Sequence, residues 1–189
     1  MVAIIDILRE EHRNIEKMLR VLEQELEVFD RREEPDYEVI QAIISYFQDY
    51  PERCHHPKED MVFLKLKERD SAAAASVGDL EAEHREESAR LRELADELEN
   101  ILTGREVLRQ SFDTILRNFI AHERHHIDME ERKLFPAALK ALRPDDWVGI
   151  DARLSARKDP LVDETIEEKF SFLRQRILQW EEQNEAERS

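Results

Sequence analysis

A chain of 189 residues has room for one domain with an appendage and is long enough to bury a core. Three glycines and six prolines against 39% charged residues favour helix over sheet, and a net charge of -16 repels phosphate backbones and anionic lipid, which argues against nucleic acid and membrane partners. One cysteine, Cys54, cannot close an intrachain disulfide, M-V-A-I-I-D-I-L lacks the basic flank of a signal peptide, and no apolar run is long enough to span a bilayer, so a cytoplasmic protein is expected.

The spacing predicts a first helix over residues 4–29, where Ile4, Ile7, Leu8, Ile15, Met18, Leu19, Leu22 and Leu26 recur at steps of three and four, with His12 on the same stripe. R-R-E-E-P-D closes it. A second helix, over 36–69, is interrupted by Pro51 and Pro57, each of which removes a backbone hydrogen bond, so a kink or restart is expected between them. Gly78 and Asp79 read as a stop and an N-cap before a third helix to about residue 102. T-G-R is the next turn, and a fourth helix over 106–142 is expected to bend late, at Pro136. Short connections make successive helices antiparallel, which gives an all-α, up-down-up-down four-helix bundle over residues 1–142. Residues 143–189 form a C-terminal helical extension: a short amphipathic helix from P-D-D-W, then a last helix over 163–187. The apolar side of that last helix, with Phe170, Leu173, Ile177, Leu178 and Trp180, must cover the bundle or another subunit, a homodimer or protein partner.

One local echo stands out. H-H-P-K-E-D in the second helix and H-I-D-M-E-E in the fourth both contain His-x-x-x-Glu. Residues four apart share a helix face, so His55 pairs with Glu59 and His126 with Glu130, while His122 extends the second row by one turn. Counting residues from the turns at about 1.5 Å each puts His12, His55, His84 and the His122/His126 row at one height in the bundle. None of the seven histidines lies beyond residue 126. Imidazoles and carboxylates converging inside an apolar bundle suit iron, manganese or zinc, and two carboxylates able to bridge favour a dinuclear centre.

E-E-H-R-N-I-E, H-H-P-K-E-D, E-A-E-H-R-E-E and H-I-D-M-E-E-R-K-L-F-P, one on each helix in order, resemble the hemerythrin-like proteins with the HHE cation-binding domain over residues 1–142. That resemblance implies a non-haem di-iron site, with iron ahead of manganese or zinc. It also implies terminal ligands His12, His55, His84 and His126 and bridging carboxylates Glu59 and Glu130. The oxygen carriers of the family place two histidines four apart on the third helix, whereas position 88 is Ser and position 80 is Leu. The missing ligand could come from His122, from His56, loosened by the neighbouring prolines, or from Glu81 or Glu87. Helix four has His-x-x-x-Glu where the oxygen carriers have one more spacer and Asp, a pattern similar to the broader bacterial branch.

The function this implies is a metal-binding protein that meets O2, NO or peroxide in sensing, iron buffering or detoxification. Two alternatives stand beside it. One is a structural or regulatory helical module with a stabilising metal. The other is a ferritin-like di-iron oxidase built on Glu81-x-x-His84 and Glu123-x-x-His126, although no general acid or second motif marks an enzyme.

Overall fold

The computed structural model describes residues 3–51, 55–105, 109–154 and 175–179. Expectations for Cys54, for the start of the fourth helix at 106–108 and for Phe170, Leu173 and Trp180 lie outside them. Among the described residues there is no strand, and no helix is long and apolar enough to cross a membrane.

Helix α1 (Ala3–Asp30) buries the predicted stripe, Ile7 excepted. The chain reverses through Arg32, whose φ of 62° makes the turn, and Asp36 caps α2 (Tyr37–Tyr50) by accepting from the Val39 backbone N–H at 3.1 Å. The predicted interruption is present: the backbone is π-helical at Pro51 and His55, and α3 (His56–Arg69) restarts with Pro57 in its first turn, where no N–H is needed. Asp70 caps the short α4 (Ser71–Val77), Gly78 turns the chain at φ 113°, and Asp79 caps α5 (Leu80–Leu102).

The fourth rod is α6 (Arg109–Met129), a π-helical turn (Glu130–Leu134) and α7 (Phe135–Ala141). The irregularity thus falls just before Pro136 and not at it. Proline has no N–H to donate to the carbonyl four residues back, and the turn that precedes it widens. α1 packs against α2 and α6, and α5 against α2 and α6, which closes the ring of a four-helix bundle.

The core is in two parts. An upper cluster takes Ile15 to Phe29 of α1, the apolar face of α2, Leu91, Leu94 and Leu98 of α5, and Phe112 to Ile120 of α6. A lower cluster joins Ile4, Ile5 and Leu8 to Val62, Phe63 and Leu66, Leu80, Leu134 and Phe135. α8 (Pro144–Asp151) adds Trp147 and Ile150 to the lower cluster and is latched by Arg69, which donates to both Asp146 oxygens at 2.9 and 2.8 Å. Residues 175–179 are helical and lie on the bundle itself. Ile177 is buried in the upper cluster, and Arg176 Nη2 is 3.4 Å from Glu25 Oε1.

Leu22 is fully buried in the upper cluster. Leu22→Ala removes apolar contact and leaves a cavity, which costs about 2–5 kcal/mol in urea unfolding. Ten residues, about 15 Å of helix, separate it from His12, so bound-metal stoichiometry stays unchanged.

Candidate metal centre

Between the two apolar clusters lies a buried polar layer: Glu11 and His12 from α1, His55 to Glu59 at the start of α3, His84 and Glu87 from α5, and Glu123, His126 and Glu130 from the fourth rod. Each occupies a position that helical spacing assigns to the core. On α5 the inward series runs Leu80, His84, Glu87, Leu91, Leu94, Leu98, and on the fourth rod Phe112, Leu116, Phe119, Glu123, His126, Glu130, Leu134.

Two groups of ligand atoms form in this layer. His12, His55, Glu59 and Glu130 make the first, and His56, Glu59, His84 and His126 the second, with the ligand atoms of each group within 4.8 Å of one another. Glu59 divides its oxygens between the groups. Its Oε1 lies 3.3 Å from His12 Nε2 and 3.0 Å from His55 Nε2, and its Oε2 lies 3.5 Å from His84 Nε2. Glu130 does the same, with Oε2 at 3.2 Å from His12 Nε2 and Oε1 at 3.4 Å from His126 Nε2. Both carboxylates are 0% exposed.

The outer imidazole nitrogens fix which atom faces inward. His12 Nδ1–H donates to Glu131 Oε1 at 3.1 Å, and His55 Nδ1–H to Glu11 Oε2 at 2.7 Å. Neutral imidazoles oriented in this way turn the Nε2 lone pair toward carboxylate lone pairs. The π-helical turn helps: Glu130 and Glu131 are consecutive yet meet opposite edges of the His12 ring, which also stacks on Phe135 at 5.4 Å. Buried atoms left without a hydrogen bond concentrate here, among them Glu59 Oε2, both Glu130 oxygens, His84 Nε2 and His126 Nε2. Buried polar atoms are otherwise nearly always paired, and acceptors that converge without hydrogens between them are reconciled by a cation. The donor set therefore fits a metal.

Protein charges alone leave the layer in conflict. Burial raises the Glu130 carboxyl to about 8, reinforced by the Glu59 charge. Burial opposes a charged His55, but Glu59 and Glu11 outweigh it and hold the imidazolium up to about 9; at His84, burial is likewise outweighed by Asp60 and Glu59, to about 10. His126 goes the other way, pushed down to about 4 by burial, so it is neutral and ready to ligate at neutral pH. Burial also raises Glu123, with the Glu87 charge adding to it.

Of the residues singled out in the sequence, His12, His55, His56, Glu59, His84, His126 and Glu130 are brought together, and His122 is in neither group. His122 is half-buried and His125 exposed. Glu81 is exposed as well, so of the Glu-x-x-His pair on α5 only His84 reaches the layer, whereas Glu123 is buried. Glu87 does approach the second group, with Oε1 at 3.2 Å from His56 Nε2 and Oε2 at 3.8 Å from His126 Nε2. Glu11 and Glu131 carried no role in the sequence reading. The signal for Glu11 was its place in the apolar series Leu8, Glu11, Ile15, Met18, Leu22, where a carboxylate has no business without a partner.

Fold and site together define a helical bundle with a paired histidine and glutamate site suited to cations. The family model described as the hemerythrin HHE cation binding domain matches residues 3–138, and the chain belongs to that family. No curated protein and no solved structure matches it.

At pH 7 the protonated forms of Glu130, His55 and His84 dominate, because pH lies below about 8, about 9 and about 10 respectively. A cation binds the deprotonated forms, so binding releases protons, and affinity climbs with rising pH and levels off only above about pH 10, where the last of the three, His84, has lost its proton. Calorimetric titration in two buffers of different ionisation enthalpy counts those protons; a count of zero would contradict these ligands.

Proposed function

We propose that the protein is a non-haem di-iron member of its family that binds O2, NO or peroxide, in sensing, iron buffering or detoxification. The observation that carries this reading is the division of Glu59 and Glu130, each with one oxygen toward either group. Two such carboxylates are what a pair of close cations needs, since each neutralises charge on both ions at once. His12 and His55 would hold one iron, and His56, His84 and His126 the other. The donor set favours iron: imidazole with carboxylate suits it better than calcium or magnesium, which prefer oxygen alone.

The two groups differ in protein donors. Two imidazoles serve the first and three the second, with both carboxylates shared, so the first iron is the one with room for a small exogenous ligand. A di-iron pair, when bound, supplies one-electron redox chemistry and that coordination position. The chain supplies the rest. Glu131 and Glu11 hold the imidazoles of the first group in one tautomer, and Phe135 covers His12 and keeps bulk water from that side.

Protein purified without oxygen and loaded with ferrous iron is expected to hold two irons per chain and to develop a ligand-to-metal charge-transfer band on exposure to air or NO. Zinc in place of iron would favour the structural-module alternative, and full stability without any metal would sink the di-iron reading. Replacing Glu59 and Glu130 together by Ala is expected to abolish iron uptake while circular dichroism shows helical content largely intact. Unchanged iron stoichiometry in that variant would sink the ligand assignment.

A further inference from the structure

Beside the first group lies a buried network that metal binding does not itself require. Glu11 is 2% exposed and Lys58 5% exposed. Glu11 Oε2 accepts from His55 Nδ1 at 2.7 Å, and its Oε1 accepts from the Tyr50 hydroxyl at 2.8 Å and from Lys58 Nζ. The Lys58 ammonium also sits 5.7 Å from the centre of the Tyr50 ring. Burying an ion pair costs several kcal/mol per ion in desolvation, and an apolar pair of similar volume would often serve the fold as well. Two donors, Tyr50 from α2 and Lys58 from α3, therefore converge on one carboxylate whose remaining contact is the back of a metal-facing histidine.

The second group is supported differently. His56 Nδ1 and His126 Nδ1 are buried with no hydrogen-bond partner among the described residues, and His84 Nδ1 is 3.4 Å from Asp60, a half-exposed carboxylate. Both histidines of the first group are thus backed by carboxylates, Glu131 and Glu11, while two of the three in the second are not. A carboxylate accepting Nδ1–H raises the electron density of the ring and strengthens Nε2 as a donor. The stronger donor favours the higher oxidation state of the ion it holds.

We propose that Glu11, its charge balanced by Lys58 and its orientation fixed by Tyr50, is a positioning residue that acts through His55 to make the first group the electron-rich half of the centre, the half that stabilises the oxidised metal. This rests on the di-iron reading above. Lys58 balances the Glu11 charge in the interior, and the split between its two oxygens leaves Oε2 to His55 alone. The chain thereby sets the two metal positions apart through residues that never touch a metal.

The test is a potentiometric titration of the full chain loaded with iron, followed by its charge-transfer band, with iron content measured on the same samples. Glu11→Gln keeps an acceptor near His55 but removes its charge. The double variant Glu11→Gln, Lys58→Met avoids stranding a buried ammonium. Both are expected to retain two irons and to shift reduction to higher potential by at least a tenfold change in the ratio of oxidised to reduced form, about 59 mV for a one-electron couple. Two irons with an unmoved potential in the double variant overturns this proposal alone. Loss of an iron from the double variant makes Glu11 a structural prop of His55 and also overturns it. Wild-type protein that fails to take up two irons overturns the di-iron reading, and this one with it.

Discussion

Everything in this bundle is arranged around one electrostatic problem: five imidazoles and at least two fully buried carboxylates occupy the same slice of an otherwise apolar interior. Taking a carboxylate out of water without a partner costs far more than any single apolar contact returns. Glu59 and Glu130 cannot both be satisfied by the histidines around them: burial and the Glu59 charge push Glu130 toward its protonated form, and Glu59 Oε2 and both Glu130 oxygens have no hydrogen-bond partner among the described residues. Positive charge at the two focal points resolves the conflict. The fold's task is to hold that conflict in place, and the two apolar clusters above and below do so by pinning all four rods at both ends of the layer.

The irregular backbone follows from the same requirement. A straight second helix would send His55 and His56 about 100° apart, with one of them facing away from the layer. Here the π-helical backbone at Pro51 and His55 and the restart at Pro57 separate α2 from α3, and both histidines are buried, one in each ligand group. The π-helical turn at Glu130–Leu134 has the parallel effect on the fourth rod, setting Glu130 between the groups and Glu131 behind His12. Single π-turns within α-helices are rare and cluster at functional sites. Here they occur beside ligand candidates on two of the four rods.

That the chain would be helical, reverse at Asp36, Asp79 and Gly104, and break between Pro51 and Pro57 was legible in its sequence, because capping chemistry and the missing proline N–H are local and owe little to distant neighbours. The level of the histidines was legible for a related reason: helix rise is constant, so counting from the turns places residues along the axis. Azimuth was not. His56 and His122 stood alike as candidates, and only the backbone departures from ideal helix bring one inward and leave the other at the edge. Glu11 was hidden by abundance, and Glu87 and Glu123 stood only as alternatives, since a chain with 45 acidic residues gives no single glutamate prominence by composition. What marks them is position within an apolar series, a property of the whole helix face more than of any short motif.

The two halves of the core do not depend equally on the polar layer. The upper cluster joins α1, α2, α5 and α6 through large apolar faces, with Tyr46, Phe47, Phe112 and Phe119 fully enclosed, and Ile177 covers it from outside. It has the makings of a stable unit whatever the charge state beneath it. The lower cluster draws on shorter pieces, α3, α4, α7 and α8, and two of its rods pass through the layer before reaching it: α3 directly after His55 and the fourth rod at Glu130. Electrostatic repulsion within the layer therefore bears first on the lower half, where Arg69 and Asp146 add a charged latch to a modest apolar contact. A cation that draws the layer together and the packing of α3 on α7 are thus two descriptions of one equilibrium, with metal affinity and lower-half order rising together.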